Sequence, residues 1–301
     1  MAERWIRHTV SAEEAGRELQ SILTDRLGLS RRMIQRLTRS AGIRLNGRSP
    51  YLKRQVREGE VVAARIAARE EPRVTAVAMD LHILFEDDHL LVVDKPAGLL
   101  VHPVGGSSGP TLVNGLAHHL EQRGVHARVR PVHRLDRDTS GLLLVALTAF
   151  AHQALDRQLR ERALRRRYLA IVEGEPDFSE RVVEAPIGRA PGNPQLRAVD
   201  PRGDHAVTRL RVDRRLPGAA VLEAELDTGR THQIRVHLSH LGHPLIGDRV
   251  YGSRRRGSGR QALHASRISF RHPLSGEPME FSSPLPADLD ELVARLSPPA
   301  G

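Results

Sequence analysis

HRLDRDTSGLLLVA, residues 133–146, places two arginines and two aspartates within five positions and follows them at once with an unbroken apolar run. The run from Leu142 to Leu147 reads as a strand buried on both faces, because no polar residue interrupts it. Charge packed this densely against a buried strand is costly unless a site requires it. The polar turn carrying Asp136, Thr139, Ser140 and Gly141 would set one carboxylate at the edge of a rigid core, partly shielded from water. For an isolated Asp-Thr-Ser-Gly, a turn or capping aspartate is the simpler reading. What surrounds it decides.

Outward from this strand the chain alternates short strands with a few helices. LHILFED, LLVVDKP, GLLLVAL, RRRYLAIVEG, HAVTRLRV and AAVLEAEL read as strands, and TLVNGLAHHLEQRG, AFAHQALDRQLRERAL and THQIRVHLSHLG as helices. Many connections are too short for parallel crossovers, so the expected class is α+β, a mixed and largely antiparallel sheet with flanking helices. This catalytic domain is placed at residues 81–296. Ala151, Leu155 and Leu159 recur every four positions and read as core, with Arg157, Arg160 and Arg162 on a solvated or phosphate-facing side.

Ahead of it, residues 12–67 read as a small α/β domain. The segments SAEEAGRELQSILTDRLG and SRRMIQRLTRSAG are expected to be helices, the second capped by Ser30 and stopped at Gly42. IRLNGRSP then predicts a strand ending in an Asn-Gly turn, and EGEVVAARIAA a second strand. Residues 68–80, with a charge run, a proline and no sustained period, read as a linker.

The chain has 301 residues, 46 Lys plus Arg against 36 Asp plus Glu, and a net charge of +10. Lys53 and Lys95 are its only lysines. A long-range preference for polyanions follows, and nucleic acid is the usual one. Aromatics are only 3%, too few for a platform stacking many successive bases. The absence of cysteine excludes disulfides, thiolate nucleophiles, zinc fingers and iron-sulfur clusters. No apolar stretch is long enough to span a bilayer, and the amino terminus lacks a secretory core, so a cytoplasmic protein with no membrane partner is expected.

Five segments, in order, carry a resemblance: VVDKPAGLLVHP (92–103), HRLDRDTSG (133–141), RRRYLAIVEG (165–174), TGRTHQIRVHL (228–238) with HPLIGDRVYG behind it, and ALHASRISFRHPLSGEPMEFSSPLP (262–286). Together they resemble the RluA-type family of RNA pseudouridine synthases. The region 12–67 resembles the S4-like RNA-binding domain, through its basic helix pair, the turn at 43–47 and the closing segment 59–62. The resemblance implies the pseudouridine synthase fold, with Asp136 as the essential aspartate, Tyr168 against the target base, and Arg235 paired with Asp136. Arg134 and Arg137 flank the aspartate, and one of them would enter the RNA stack as the base leaves. His133, Thr139, Arg230, His232 and Gln233 are carried as substrate-binding candidates, and Arg31, Arg32, Arg36, Arg39, Arg44 and Asn46 as RNA-binding ones. Lys95, Pro96 and Gly98 are read as shaping a turn near the site, Gly229 and Gly247 as turn formers, and Asp248 as a pocket-lining acid.

The chemistry is coherent with these residues. Turning uridine into pseudouridine breaks the N1–C1′ bond and joins C5 to C1′, gaining no atom and changing no oxidation state, so no cofactor is expected. It needs a carboxylate kept ionised. Burial would neutralise that carboxylate, whereas an arginine within about 4–6 Å opposes this. The target base must also leave its stack, at a cost of a few kcal/mol. Whether the aspartate attacks base or sugar, or removes a sugar proton, the residues leave open.

Other readings fit less well. Residues 105–109, GGSSG, match a serine-hydrolase elbow formally, but Pro103 and Pro110 bracket a loop rather than a strand–turn–helix. His232, His237, His240 and His243 crowd one stretch without a His-Glu-x-x-His arrangement, so no metal is expected. A factor that retains the fold without activity is disfavoured by Asp136, Tyr168 and Arg235. The expected partner is RNA: large-subunit ribosomal RNA first, transfer RNA second. Nothing resembles a dimerisation stripe, and a monomer is the default.

Overall fold

Ten strands hydrogen-bond into one sheet in the computed structural model, which describes residues 3–71, 74–103 and 109–298. Residues 105–108 of the glycine-serine segment lie outside the described residues.

At the amino end, β1 (Arg4–Thr9), α1 (Leu19–Asp25), α2 (Arg31–Arg39), β2 (Ile43–Leu45) and β3 (Val61–Ala67) form a three-stranded sheet, β1-β3-β2, backed by the two helices. The first helical pattern is shorter than its periodicity suggests. Only a 3-10 turn at Ala12–Glu14 and seven residues of α1 are helical, because Gly16 takes φ +85° and Glu18 is extended. β1 was not anticipated at all. The Ser30 cap forms, its Oγ accepting from Met33 N–H at 3.2 Å. The stop falls one residue earlier than Gly42. Ala41 holds the left-handed conformation, φ +50°, and the Gly42 N–H closes on the Leu37 carbonyl at 2.7 Å. The predicted hairpin turn has positive φ at both Asn46 and Gly47.

Fourteen residues further on, β4 (His82–Glu86), β5 (Leu90–Lys95), α3 (Leu112–Gln122), β6 (Arg130–Pro131), β7 (Ser140–Ala146), α4 (Ala149–Arg160) and β8 (Arg165–Glu173) begin the larger body. Then come β9 (Glu180–Glu184), the hairpin β10 (Ile187–Ala190) and β11 (Asn193–Val199), β12 (Val207–Leu216), β13 (Ala219–Leu226), α5 (Gln233–His240), β14 (Leu263–Arg271), β15 (Pro278–Ser282) and α6 (Ala287–Leu296). The sheet runs β4-β5-β7-β14-β8-β13-β12-β9, with β15 on β14 and β6 on β7. All its pairings are antiparallel except β7 with β14, so the class is α+β with a mixed, largely antiparallel sheet, as the short connections require. The strand β9 and the hairpin β10–β11 escaped the sequence reading, because their patterns lack sustained alternation. α4 ends at Arg160, where the reading ran to residue 164: Arg162 turns left-handed at φ +59° and the chain returns as β8.

The two bodies meet on α4. Phe150 belongs to the amino-terminal core, with Ile22, Leu23, Ile34 and Val62. Gln153 receives Ser30 N–H at 2.9 Å and donates to the Gly28 carbonyl at 2.7 Å. Residues 74–80 lie against α3, tied by Val77 N–H to the Asn114 carbonyl and by Met79 over Gly115.

The one parallel contact positions the site. Ala265 of β14 is in register with Gly141 on one side and Tyr168 of β8 on the other, so the loop before β7 ends two strands from Tyr168, about 10 Å across the sheet. Gly141 takes φ +109°, and a Cβ there would stand 2.3 Å from the Ala265 carbonyl oxygen. Hence Gly141→Ala should cost about 3 kcal/mol or more in chemical denaturation, while Gly276→Ala, also at positive φ but with no atom within 4 Å, should cost about 1. Equal midpoints for the two variants would contradict this assignment.

Candidate active site

The loop 132–139 cannot hold its shape by secondary structure, so side chains from two other segments hold it. Lys95, fully buried at the end of β5, donates all three ammonium protons to carbonyls: Pro96 and Leu99 at 2.8 Å and Arg137 at 2.9 Å. Burial pulls the ammonium down to about 7, against the charges of Asp138 and Asp136, which support it. Arg260 donates to the Asp138 carbonyl at 3.0 Å and to Ser140 Oγ at 3.2 Å, and is itself held by Asp288 in the first turn of α6. Gln261 donates to Thr139 Oγ1.

Into this frame projects Asp136. Arg235 of α5 donates from Nη1 to Asp136 Oδ2 at 3.2 Å, while its Nε and Nη2 grip Asp248 at 2.7 and 2.9 Å. Arg235 is 8% exposed and Asp248 2%. Burial alone would lower the guanidinium's pKa, but the hydrogen bonds and charge of Asp248, with the charge of Asp136, carry it above the usual arginine value. Gly247 is needed to deliver Asp248, since a Cβ there would lie 2.2 Å from the Arg260 carbonyl oxygen.

His232, the residue before α5, is held at φ +59° with Nε2 3.9 Å from Asp136 Oδ1. Its Nδ1 lies 2.7 Å from the Tyr251 hydroxyl, whose oxygen accepts from Arg197 N–H. The Tyr251 hydroxyl thus ties the His232 ring to the Arg197 backbone and holds its Nε2 edge toward the aspartate. Burial keeps His232 below its ordinary pKa, with Asp136 opposing. The Tyr251 ring also lies under the Arg235 guanidinium, 4.8 Å away.

Two clefts meet at Asp136. One, of about 440 Å³, is lined by His133, Arg134, Tyr168, Arg230, His232 and Arg235 among others; the second, of about 620 Å³, shares Arg134, Asp136, His232 and Arg235 and adds Arg137, Arg249, Arg256 and Arg260. Tyr168 is buried, and burial raises its hydroxyl's pKa, so the ring stays neutral.

Several sequence candidates have other employment. Gln233 is 3% exposed; its amide oxygen accepts from Thr228 Oγ1 and Arg230 N–H, and its amide nitrogen donates to the Val207 carbonyl and Thr208 Oγ1, so it builds the turn and has nothing left for substrate. Thr139, 2% exposed, serves Gln261. His133 accepts from Leu144 N–H through Nε2 and is a buried neutral ring. Arg137 Nε is tied to the Gly98 carbonyl, whereas Arg134 is exposed, has no partner among the described residues and faces both clefts. Arg230 reaches the His205 carbonyl at the rim. Asn46 spends its amide on Val61 N–H and Glu60, holding the hairpin rather than awaiting RNA. Arg31, Arg32, Arg36 and Arg39 are exposed on α2, and Arg44 stacks on Trp5 at 4.5 Å. The four crowded histidines diverge: His237 bonds Thr208 and Ala185, His243 the Glu173 carbonyl, and no group of three or more potential ligands forms among the described residues. No helix among them is long and apolar enough to cross a membrane.

The sequence reading missed Tyr251, and it placed Lys95 at a turn near the site without its hold on the Arg137 carbonyl. Rarity was the available signal: Tyr51, Tyr168 and Tyr251 are the only tyrosines, and Lys95 is one of two lysines among 46 basic residues.

A carboxylate, its anchored guanidinium and a buried tyrosine meet around one cleft, and comparison with known proteins says which family carries such a chain. Residues 89–240 match the RNA pseudouridylate synthase family. An uncharacterised RNA pseudouridine synthase of Bacillus subtilis, YlyB, is 41% identical over 271 residues, 89% of either chain. The ribosomal large subunit pseudouridine synthase D of Xanthomonas campestris is 39% identical over 297 residues, 94% of this chain and 89% of its own. The solved structure of human RNA pseudouridylate synthase domain containing 4 aligns with a TM-score of 0.58 at 26% identity, over 71% of this chain and 92% of its own. The chain belongs to the RNA pseudouridine synthase family. It is an isomerase that converts uridine in RNA to pseudouridine.

The buried histidines give the site an acid limit. Burial, helped by the charge of Arg166, brings His133 down to about 3. An unfolded histidine titrates near 6.5. Between about pH 6.5 and 3 the unfolded chain therefore holds a proton the folded one refuses, and stability falls as pH falls, by about 1.4 kcal/mol per unit for this residue. His237 and His264, also lowered by burial, act in the same direction. Denaturant midpoints should drop steeply from pH 7 to 5, and His133→Gln should remove one proton's share of the slope; a flat profile would exclude the neutral buried ring.

Proposed function

We propose that this enzyme isomerises a uridine of large-subunit ribosomal RNA in the cytoplasm, acting as a monomer, with Asp136 as its catalytic carboxylate. The observation that carries the reading is the position of Asp136: at the junction of two clefts, against a guanidinium that Asp248 has already immobilised. Because Asp248 takes two of the Arg235 donors, the third is aimed before substrate arrives, and no reorganisation is needed as charge moves at Asp136. The extruded base fits the Tyr168 side of the first cleft, where stacking recovers about 1–3 kcal/mol of the unstacking cost. Arg134, unengaged at the mouth of both clefts, is the arginine suited to occupy the gap left in the RNA.

The second cleft, with Arg137, Arg249 and Arg256, suits the flanking phosphates. The amino-terminal body acts in this reading as an S4-like RNA-binding domain, presenting Arg31, Arg32, Arg36 and Arg39. Its docking on α4 fixes the distance between that basic face and Asp136. Support for the ribosomal substrate comes from the Xanthomonas relative, which matches 94% of this chain.

Asp136→Asn should lower isomerisation by about 1000-fold or more with RNA affinity changed less than about threefold, since shape and phosphate contacts persist. Turnover near that of the parent would remove Asp136 from the chemistry. Replacing Arg31, Arg32 and Arg39 together by Gln should flatten the plot of log K against log salt by about 2. An unchanged slope would take the amino-terminal body out of RNA binding. Mapping pseudouridines in cells with and without the gene tests the substrate: a lost site in transfer RNA alone would replace the ribosomal reading.

A further inference from the structure

Arg166 is a buried cation without an anion. It is 5% exposed and lines the first cleft, yet among the described residues it forms no ion pair. Among the same residues its sole hydrogen bond runs from Nη2 to the Leu226 carbonyl at 3.5 Å, the limit of bonding distance, and its buried Nε has no partner. Arg235, in the same cleft, has two carboxylates. A desolvated guanidinium left so poorly satisfied is costly to keep unless something completes it. Its surroundings offer nothing: His133 is a neutral ring whose own Nδ1 is unpartnered, and Tyr168 is neutral.

The placement is built. Arg166 and Tyr168 are two residues apart on β8, both buried, and so project from one face of the strand about 7 Å apart. Gly229, whose φ does not require glycine, leaves the space the guanidinium fills: a Cβ there would meet Arg166 Nη1 at 3.2 Å. The exposed arginines at the rim, Arg134, Arg160, Arg162 and Arg230, are where hydrated phosphates can reach. What can come as deep as Arg166 is the base itself.

We propose that Arg166 is a catalytic residue that touches the substrate, its guanidinium donating to a carbonyl oxygen of the extruded uracil and stabilising the charge that forms there. When the N1–C1′ bond breaks, its electron pair stays with the ring and spreads over N1 and the carbonyl oxygens. The ring then turns, C5 bonds to C1′, and the C5 proton ends on N1, so nothing is gained or lost. A guanidinium on the carbonyl edge binds this anion more strongly than the neutral base, which is the condition for accelerating the step rather than only binding substrate. If that oxygen is O4 the contact also discriminates, because the exocyclic amine of cytosine would set a donor against a donor.

This rests on the proposed function, and the test separates the two. Wild type, Asp136→Asn, Arg166→Met and Arg166→Lys are compared in single turnover on large-subunit ribosomal RNA transcripts, with pseudouridine measured by nucleoside chromatography. Transcripts made with 2-thiouridine or 4-thiouridine weaken one carbonyl acceptor each. Arg166→Met should slow the step by about 100-fold or more, with RNA affinity within about threefold and Arg166→Lys between the two. One of the thio substitutions should slow the wild type by about tenfold and leave Arg166→Met no slower than on unmodified RNA. Wild-type speed in Arg166→Met overturns the proposal while leaving the function standing. So does a loss confined to affinity with a salt slope shallower by about 1, the mark of a phosphate contact. If Arg166→Met melts far below the wild type, the thio substitutions decide on the wild type alone, and indifference to both overturns the proposal. A wild type inactive on every RNA defeats the function and the proposal together.

Discussion

A guanidinium with two carboxylates is the constraint around which the catalytic body is arranged. Arg235 could not be buried with Asp136 alone, because one carboxylate shared with solvent and substrate would leave most of its donors empty. Asp248 satisfies Nε and Nη2, and only then can Nη1 be lent to Asp136. The arrangement explains why residues far apart in sequence must meet. The segment 245–251 supplies Asp248 through a glycine that no other residue can replace, and Tyr251, three residues later, covers the guanidinium and orients His232. The aspartate's geometry is thus decided by groups one contact removed from it.

The same logic applies to the loop. A loop with no ladder of its own is precise only if its carbonyls are bound from beneath, and here a lysine and an arginine do it. Lys95 suits its position because three carbonyls converge on it from different directions, which an ammonium can meet and a planar fork cannot. Arg260 suits its own because Asp288 holds the fork from one side while Nη1 reaches carbonyls on the other. The carboxyl-terminal helix α6 thereby reaches the catalytic loop through one side chain.

How much of this was legible in the sequence follows from what each feature depends on. The strands β5 and β7 could be read because double-sided burial leaves an apolar run, and the Ser30 cap and Asn46-Gly47 turn because their chemistry is local. The first helix was overextended because the turn at Gly16, whose N–H bonds the distant Val56 carbonyl, depends on a partner that the local pattern does not show. β10 and β11 pair mainly with each other beside the main sheet, so their sequence shows no clean alternation. Within the site, Asp136, Tyr168 and Arg235 stood out as motif residues. Gln233 and Thr139 sat in the same motifs and looked equivalent, and only the hydrogen-bond inventory separates a saturated amide from an available side chain.

Arg166 marks the limit of such reading. In RRRYLAIVEG it is the middle of three arginines in a chain full of them, and composition gives no reason to prefer it to Arg165 or Arg167. The strand pleat makes the distinction: Arg165 and Arg167 turn toward Glu225 and Glu223 on the other face, where ion pairs satisfy them, while Arg166 turns inward beside Tyr168. A basic residue flanked by two that are neutralised, and itself left without a carboxylate in the cleft that holds the tyrosine, is placed there at a cost in folding energy. Such a cost persists when the missing partner arrives with the substrate.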